Sequence, residues 1–222
     1  MSPPGGGSAG GEARPAGTSG GRATAGGNDP ARHPLAAAEG GGDPSGRPLA
    51  VVLAGGLSRR MGSPKAGVPL GGRPLIAWPL AAAAAAGLEV VVVAKPGSSL
   101  PPLDVDVWDE PEAPAHPLTG LVAALARAER PVVALACDMP FVTPDLIARL
   151  AARAGVAAPR GEAFPARYEP AALPVLRAGL AREAALRDVL AELGAAAVAA
   201  NPDELTGIND PAALARAEAS LR

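Results

Sequence analysis

Beyond residue 48, short unbroken apolar runs alternate with longer stretches whose aliphatic residues recur at helical spacing. The first run, Leu49-Ala50-Val51-Val52-Leu53, meets a glycine pair and reads as a strand buried on both faces. Residues 74–86 read as a helix, with proline near the first turn and Gly87 at its end. A β-branched run over 89–94, stopped by Lys95-Pro96-Gly97, predicts a second buried strand, and residues 104–108 a short third one. Residues 118–128 are helical, and 131–137 form a fourth strand that ends at Asp138. Thr143-Pro144-Asp145 then opens a helix with a capping residue and a proline at the first helical position, expected to run to about 154. A strand near Val156, helices around 171–179, 181–193 and 211–221, and a strand over 195–199 complete the pattern.

Strands alternating with helices at these intervals predict a mostly parallel sheet covered on both faces, a three-layer α/β/α Rossmann-like arrangement. Ligands of such sheets bind beyond the carboxyl ends of the strands. The segments 54–65, 95–97, 109–120 and 138–140 should therefore share one rim.

Residues 1–48 have a different texture. They hold 14 of the 28 glycines, seven prolines and almost no large aliphatic residues. Such a segment buries too little apolar area to offset backbone ordering, roughly 1–2 kcal/mol per residue. We expect a disordered tail over 1–48 and a single domain over 49–222. The net charge is −2, with no basic surplus to neutralise a nucleic-acid backbone, so a nucleic-acid partner is not expected. Aromatic residues make up only 2%, so the core must be built from small aliphatic side chains. The single cysteine, Cys137, rules out an internal disulfide and a cysteine-rich metal site. No apolar run is long enough to span a bilayer, and the opening residues lack the basic start and apolar segment of a secretory signal. A cytoplasmic setting without membrane contact is the expectation.

The chemistry concentrates after the first strand, in Leu53-Ala54-Gly55-Gly56-Leu57-Ser58-Arg59-Arg60-Met61-Gly62-Ser63-Pro64-Lys65. Paired glycines let the backbone approach a ligand and turn successive N–H groups toward an anion. Arg59, Arg60 and Lys65 add positive charge that can meet phosphate. No Gly-Lys-Ser/Thr and no Gly-x-Gly-x-x-Gly occurs, which excludes the two commonest phosphate loops. The bland alternative is a glycine-rich surface turn with incidental arginines. The fourth strand delivers Cys137-Asp138-Met139-Pro140 to the same rim, and a carboxylate at a strand end near a triphosphate suits Mg2+, which takes one or two carboxylates plus phosphate oxygens and water. The alternative is that Asp138 only caps the next turn. Cys137 reads as a small buried strand residue, His116 as an exposed loop histidine, and Glu110 and Glu112 as solvated acids.

Leu-Ala-Gly-Gly-x-Ser-x-Arg-Met-Gly-x-x-Lys resembles the signature of the nucleotidyltransferase superfamily, most closely that of the molybdenum cofactor guanylyltransferases. The resemblance covers roughly residues 49–219 and implies a Rossmann-like nucleotidyltransferase fold. It also implies transfer of a nucleoside monophosphate from GTP, or another NTP, to a phosphorylated acceptor such as molybdopterin, with pyrophosphate released. By matching position, Leu53, Ala54, Gly55, Gly56, Ser58 and Lys65 would hold the nucleotide and Arg60 would help activate the phosphates. Cys-Asp-Met-Pro matches the family segment that carries the metal-binding aspartate, here Asp138. Asp109 matches an aspartate that contacts the nucleotide in relatives. Gly207-Ile208-Asn209-Asp210-Pro211 resembles the family's Asn-Val-Asn-Thr-Pro; Asn209 would be a second metal ligand, while Gly207 replaces the first asparagine. Asp210 alone would be an ordinary helix cap.

Two further departures matter. The asparagine that contacts the base in relatives aligns with Val93, and residues 160–170, which lie over the acceptor in relatives, are shorter. Arg167 and Tyr168 are candidates to line the acceptor pocket, Tyr168 equally as a packing residue. Contact with other cofactor-biosynthesis proteins or with molybdoenzymes is a further implication of the family. Three alternatives stay open at this point: a cytidylyltransferase of the same pathway, a sugar-phosphate nucleotidyltransferase, and a nucleotide-binding partner protein of weakened catalysis. Relatives of the cytidylyl type usually carry Leu-Ala-Ala-Gly where this chain has Leu-Ala-Gly-Gly.

Overall fold

The structure, a computed structural model, describes residues 46–56 and 64–222. The expected tail lies outside the described residues except for 46–48, where Arg47 already donates a hydrogen bond to the Gly87 carbonyl at 2.7 Å. Ser58, Arg59 and Arg60 also lie outside them.

In chain order the elements are β1 (Leu49–Leu53), β2 (Pro69–Leu70), β3 (Arg73–Pro74), α1 (Ala77–Ala85), β4 (Val90–Ala94), β5 (Val107–Asp109), α2 (Pro117–Ala128) and β6 (Val132–Ala136). There follow α3 (Pro144–Ala151), β7 (Ala157–Pro159), β8 (Ala166–Tyr168), α4 (Leu173–Ala181), α5 (Leu186–Glu192), β9 (Ala196–Val198) and α6 (Pro211–Ser220). Seven strands make one sheet in the order β5-β4-β1-β6-β8-β7-β9. Neighbours run parallel, except that β8 is antiparallel to both β6 and β7.

The period of two along the strands sorts their side chains into two cores. Leu49, Val51, Val91, Val93, Val132 and Ala134 face α2, α4 and α5. Ala50, Val52, Val92, Ala94, Val133 and Leu135 face α1 and α3. This is the expected three-layer α/β/α fold with a mostly parallel sheet. A third small cluster of Leu70, Leu75, Ile208, Ala213 and Ala217 seats α6 on the β2–β3 hairpin.

Several element boundaries differ from those expected, each for a local reason. The helix expected over 74–86 starts only at Ala77, because Gly71 and Gly72, both at positive φ, turn the chain into the β2–β3 hairpin that uses Pro74. The third strand is shifted to 107–109. The helix expected over 181–193 is interrupted at Glu183, which takes a left-handed φ of 53°, and resumes at Leu186. The sequence reading missed β8 altogether. Pro165 and Pro170 bracket it, but its three residues carry no β-branched run, and they are held by pairing with β6 rather than by propensity.

β1 leads to β4 on one side, whereas the chain later returns to place β6 on the other side of β1. The order reverses there, and the carboxyl ends of β1 and β6 open a crevice.

Arg167 and Tyr168 pair with Val133 and Val132, toward the end of β6 remote from that crevice, so they do not line an acceptor pocket there. Tyr168 is fully buried in the α2-side core, and its hydroxyl has no hydrogen-bond partner among the described residues. Replacing Tyr168 with phenylalanine should therefore raise stability by about 1 kcal/mol, because it deletes an unsatisfied buried polar group. The check is a higher urea midpoint at unchanged slope; an unchanged or lower midpoint would show that the hydroxyl is satisfied.

Candidate active site

Asp138 sits two residues past β6, at the crevice. Its Oδ2 accepts a hydrogen bond from Lys65 Nζ at 2.6 Å, and the same ammonium donates to Asn209 Oδ1 at 2.7 Å. Each member is placed by its own element. Lys65 opens a single 3-10 turn whose buried Ala66 accepts from the Ile76 amide at 3.2 Å. Asn209 follows Ile208, which is fully buried in the α6 cluster and donates its N–H to the Asp138 carbonyl at 2.8 Å. Asp210 then caps α6 by accepting from Ala213 N at 2.8 Å, as its sequence context suggested. Gly207 borders the same cluster, since a Cβ there would stand 3.1 Å from Asn209 Nδ2 and 3.9 Å from Asp138 Oδ1.

Around these residues lies a cavity of about 730 Å³, a size suited to a small-molecule ligand. Leu53 lines it from the end of β1, Gly55 and Gly56 from the turn that follows, and Lys95, Glu110 and His116 from beyond β4 and β5. Glu162, Ala163 and Phe164 reach it from the stretch before β8. All four expected rim segments thus contribute. Ala54 lies against the α1/α3-side core and donates its N–H to Val93 O at 2.8 Å, which fixes the start of the turn.

The end of the cavity beyond β4 and β5 carries a second charged pair. Lys95 Nζ lies 3.2 Å from Glu110 Oε1 and donates to the carbonyls of Pro111 and Glu112, each at 2.8 Å. The Glu110 carboxylate fits between two glycines: a Cβ on Gly55 would come within 1.9 Å of Oε1, and one on Gly120 within 2.2 Å of Oε2. Burial pushes the Glu110 carboxyl above its ordinary range, against the lowering effect of Lys95.

Glu110 is only 6% exposed, so its expected solvation is overturned; Glu112 is exposed as expected. Asp109 closes β5 exposed to solvent, and it is Glu110 that lines the cavity. His116 is a half-buried cap of α2, not a free loop residue, with Nδ1 accepting from Leu118 N at 3.2 Å. The Cys137 thiol is buried and pushed up to about 12, first by desolvation and then by the adjacent Asp138 charge, so it is no nucleophile at neutral pH. Sequence reasoning gave Lys95 and Glu110 no role in the site. The signal that could have found them is their position at the carboxyl ends of two predicted strands.

Asp138 and Asn209 together offer oxygen donors only. No group of three or more His, Cys, Asp or Glu side chains clusters among the described residues. One carboxylate and one amide oxygen converging on a cationic position fit a hard cation that draws its remaining ligands from phosphate and water. No helix among the described residues is long and apolar enough to cross a membrane.

Residues 50–199 match the family described as the MobA-like NTP transferase domain. A molybdenum cofactor guanylyltransferase of Rhodobacter capsulatus is 37% identical over 188 residues, 77% of this chain and 94% of the relative. Another, from Cereibacter sphaeroides, is 37% identical over 186 residues, again 77% of this chain and 95% of the relative. Among solved structures, a molybdopterin-guanine dinucleotide biosynthesis protein A from Archaeoglobus fulgidus shares the fold, with a TM-score of 0.66 at 24% identity over 78% of this chain and 98% of that one. A 2-C-methyl-D-erythritol 4-phosphate cytidylyltransferase from Thermus thermophilus gives a TM-score of 0.59 at 26% identity, over the same shares.

The raised Glu110 pKa makes a signed prediction. Relative to Glu110→Gln, the wild-type protein should be most stable below the ordinary carboxyl value of 4.5 and should lose that advantage as pH rises through the raised folded-state value. Urea unfolding of both proteins between pH 4 and 8 checks this, and parallel curves would contradict it.

Proposed function

We propose that this chain, which belongs to the MobA-like NTP transferase family, moves a guanylyl group from GTP to the terminal phosphate of molybdopterin and releases pyrophosphate. Family membership makes it a nucleotidyltransferase that acts on an NTP and a small acceptor; the guanine base, the pterin acceptor and a magnesium requirement are what the proposal adds. The observation that carries it is the meeting of Lys65, Asp138 and Asn209 in the lining of the cavity, which Gly55 and Gly56 also line. Support for the base and the acceptor comes from guanylyltransferase relatives that align over more than nine-tenths of their length.

In this reading the acceptor phosphate attacks the α-phosphorus of GTP in line. One P–O bond forms as the bond to the pyrophosphate oxygen breaks. The attacking phosphate is already ionised at neutral pH, so no side chain has to remove a proton. The work of the protein is positioning and charge neutralisation. The backbone of Gly55 and Gly56, free of side chains, allows the triphosphate close approach, and Lys65 brings a compact positive charge to it. Arg60, by its place in the motif, would add a second cation. Asp138 and Asn209 would hold Mg2+. When bound, the ion would offset charge on the phosphates as pyrophosphate departs. Lys65 already bridges these two oxygens, so the same side chain serves the phosphates and keeps the acid compensated before any ligand arrives.

The acceptor would approach from the side of Glu162, Ala163 and Phe164. Those residues line the cavity next to β6, on the opposite flank of the crevice from Lys95 and Glu110. An aromatic side chain there suits a flat heterocycle.

The test is pyrophosphate release from purified protein with molybdopterin, Mg2+ and each of GTP, CTP, ATP and UTP. GTP should support the fastest turnover. Asp138→Asn should lower it by about 10²- to 10³-fold while the protein keeps its fold. Faster turnover with CTP, or an Asp138→Asn protein at the wild-type rate, would overturn the reading.

A further inference from the structure

Two tasks fall to Lys65 that one ammonium cannot perform at the same time. Its Nζ lies 2.6 Å from Asp138 Oδ2 and 2.7 Å from Asn209 Oδ1, the same two oxygens that fit a hard cation. An ion bound to that carboxylate oxygen at ~2.1 Å would stand less than about 5 Å from the nitrogen, whichever side it approached from. Both are positive, and both oxygens already accept from the ammonium. The lysine and a divalent ion therefore compete for one seat.

The oxygens are the fixed partners. The Asp138 carbonyl accepts from Ile208 N at 2.8 Å, and Ile208 is fully buried in the cluster that seats α6. That bond ties the backbone of Asp138 to the residue just before Asn209, so moving either oxygen far would disturb the seating of α6. Lys65 is the mobile partner. Its backbone is held by the turn that carries Ala66, but its ammonium ends a flexible four-carbon stem.

Charge decides what moves it. The Lys65–Asp138 pair is balanced as it stands, and both side chains are largely removed from water. A divalent ion arriving alone would bring two uncompensated positive charges to that pair. A triphosphate beside Gly55 and Gly56 enters the same cavity with the opposite charge, and its oxygens can take over the ammonium. The carboxylate is then left to the ion.

We propose that Lys65 gates the cation site: its ammonium fills the seat between Asp138 and Asn209 until a triphosphate draws it away, so a divalent ion binds with the nucleotide and not before it. The proposal rests on the nucleotidyl-transfer reading for the ligand that moves the lysine, while the competition for the two oxygens stands on geometry alone. Such a site ignores free metal ions.

Mn2+, which takes oxygen ligands like Mg2+ and is visible to electron paramagnetic resonance, tests the competition in the full-length protein without nucleotide. The ammonium lowers the apparent affinity by the fraction of time it fills the seat. Lys65→Met, which keeps an unbranched stem and removes the charge, should therefore bind Mn2+ about tenfold or more tightly than wild type. Adding Asp138→Asn should cancel that gain. The gain should persist in about 1 M KCl, where the Debye length is ~3 Å, because displacement from shared oxygens is a contact effect. Lys65→Gln supplies the same comparison if the methionine variant folds poorly. In the wild type, Mn2+ alone should leave the melting temperature unchanged, whereas Mn2+ with GTP should raise it above GTP in EDTA. Equal Mn2+ affinity in wild type and the neutral variants would overturn the proposal. So would a gain lost in high salt, or a wild-type protein that Mn2+ alone stabilises. A wild-type protein stabilised by none of GTP, CTP, ATP and UTP with Mn2+ would instead overturn the nucleotidyl-transfer reading, which the nucleotide-free measurement does not use.

Discussion

The ammonium of Lys65, held between the Asp138 carboxylate and the Asn209 amide oxygen, is the contact on which the rest of the site depends. Lys65 and Asp138 are each only 16% exposed, so neither charge is well served by water alone. Removing one partner would leave the other poorly solvated, a larger penalty than the pair's net contribution. The pair also sets the local field. A positive charge stands where the glycine turn approaches, and a negative one where β6 ends. A triphosphate with its counter-ion complements that arrangement, and the fold of a MobA-like NTP transferase supplies it from three separate elements.

The other end of the rim repeats the device with the signs arranged differently. There the carboxylate is the more buried member, 6% exposed against 15% for Lys95, and the lysine spends its remaining donors on two backbone carbonyls. The lysine therefore rigidifies a loop as well as balancing a charge. Glycine is required at two places around it for reasons of contact rather than conformation, because Gly55 and Gly120 have ordinary φ values yet tolerate no Cβ beside Glu110. Polar groups fixed before the ligand arrives lose little freedom when it binds.

Much of this was legible in the sequence because parallel strands announce themselves. The apolar runs at 49–53, 89–94 and 131–137 place the strands, and the rule that ligands sit beyond their carboxyl ends gathers the four rim segments. Lys65 and Asp138 could be named from the loop and the strand end. What stayed hidden was set by pairing and by the register of short elements. β8 is three residues held by β6, and no local propensity marks it. Whether Asp109 or Glu110 points inward turns on a one-residue register in a three-residue edge strand, which composition cannot decide. The burial of Glu110 arises from two distant glycines and a lysine, so an acid that looks like ordinary loop surface lies inside the cavity. The assignments to Ser58 and Arg60 lie outside the described residues.

Sequence separation gives the cluster a temporal consequence. Lys65 meets Asp138 across 73 positions and Asn209 across 144. A growing chain can pair the first two while much of the protein is still unsynthesised. The third arrives only when Ile208 has left the ribosome and docked beneath α6. Until then the aspartate and lysine satisfy each other, so a half-made chain does not present a bare carboxylate or a bare ammonium to passing ions and phosphates.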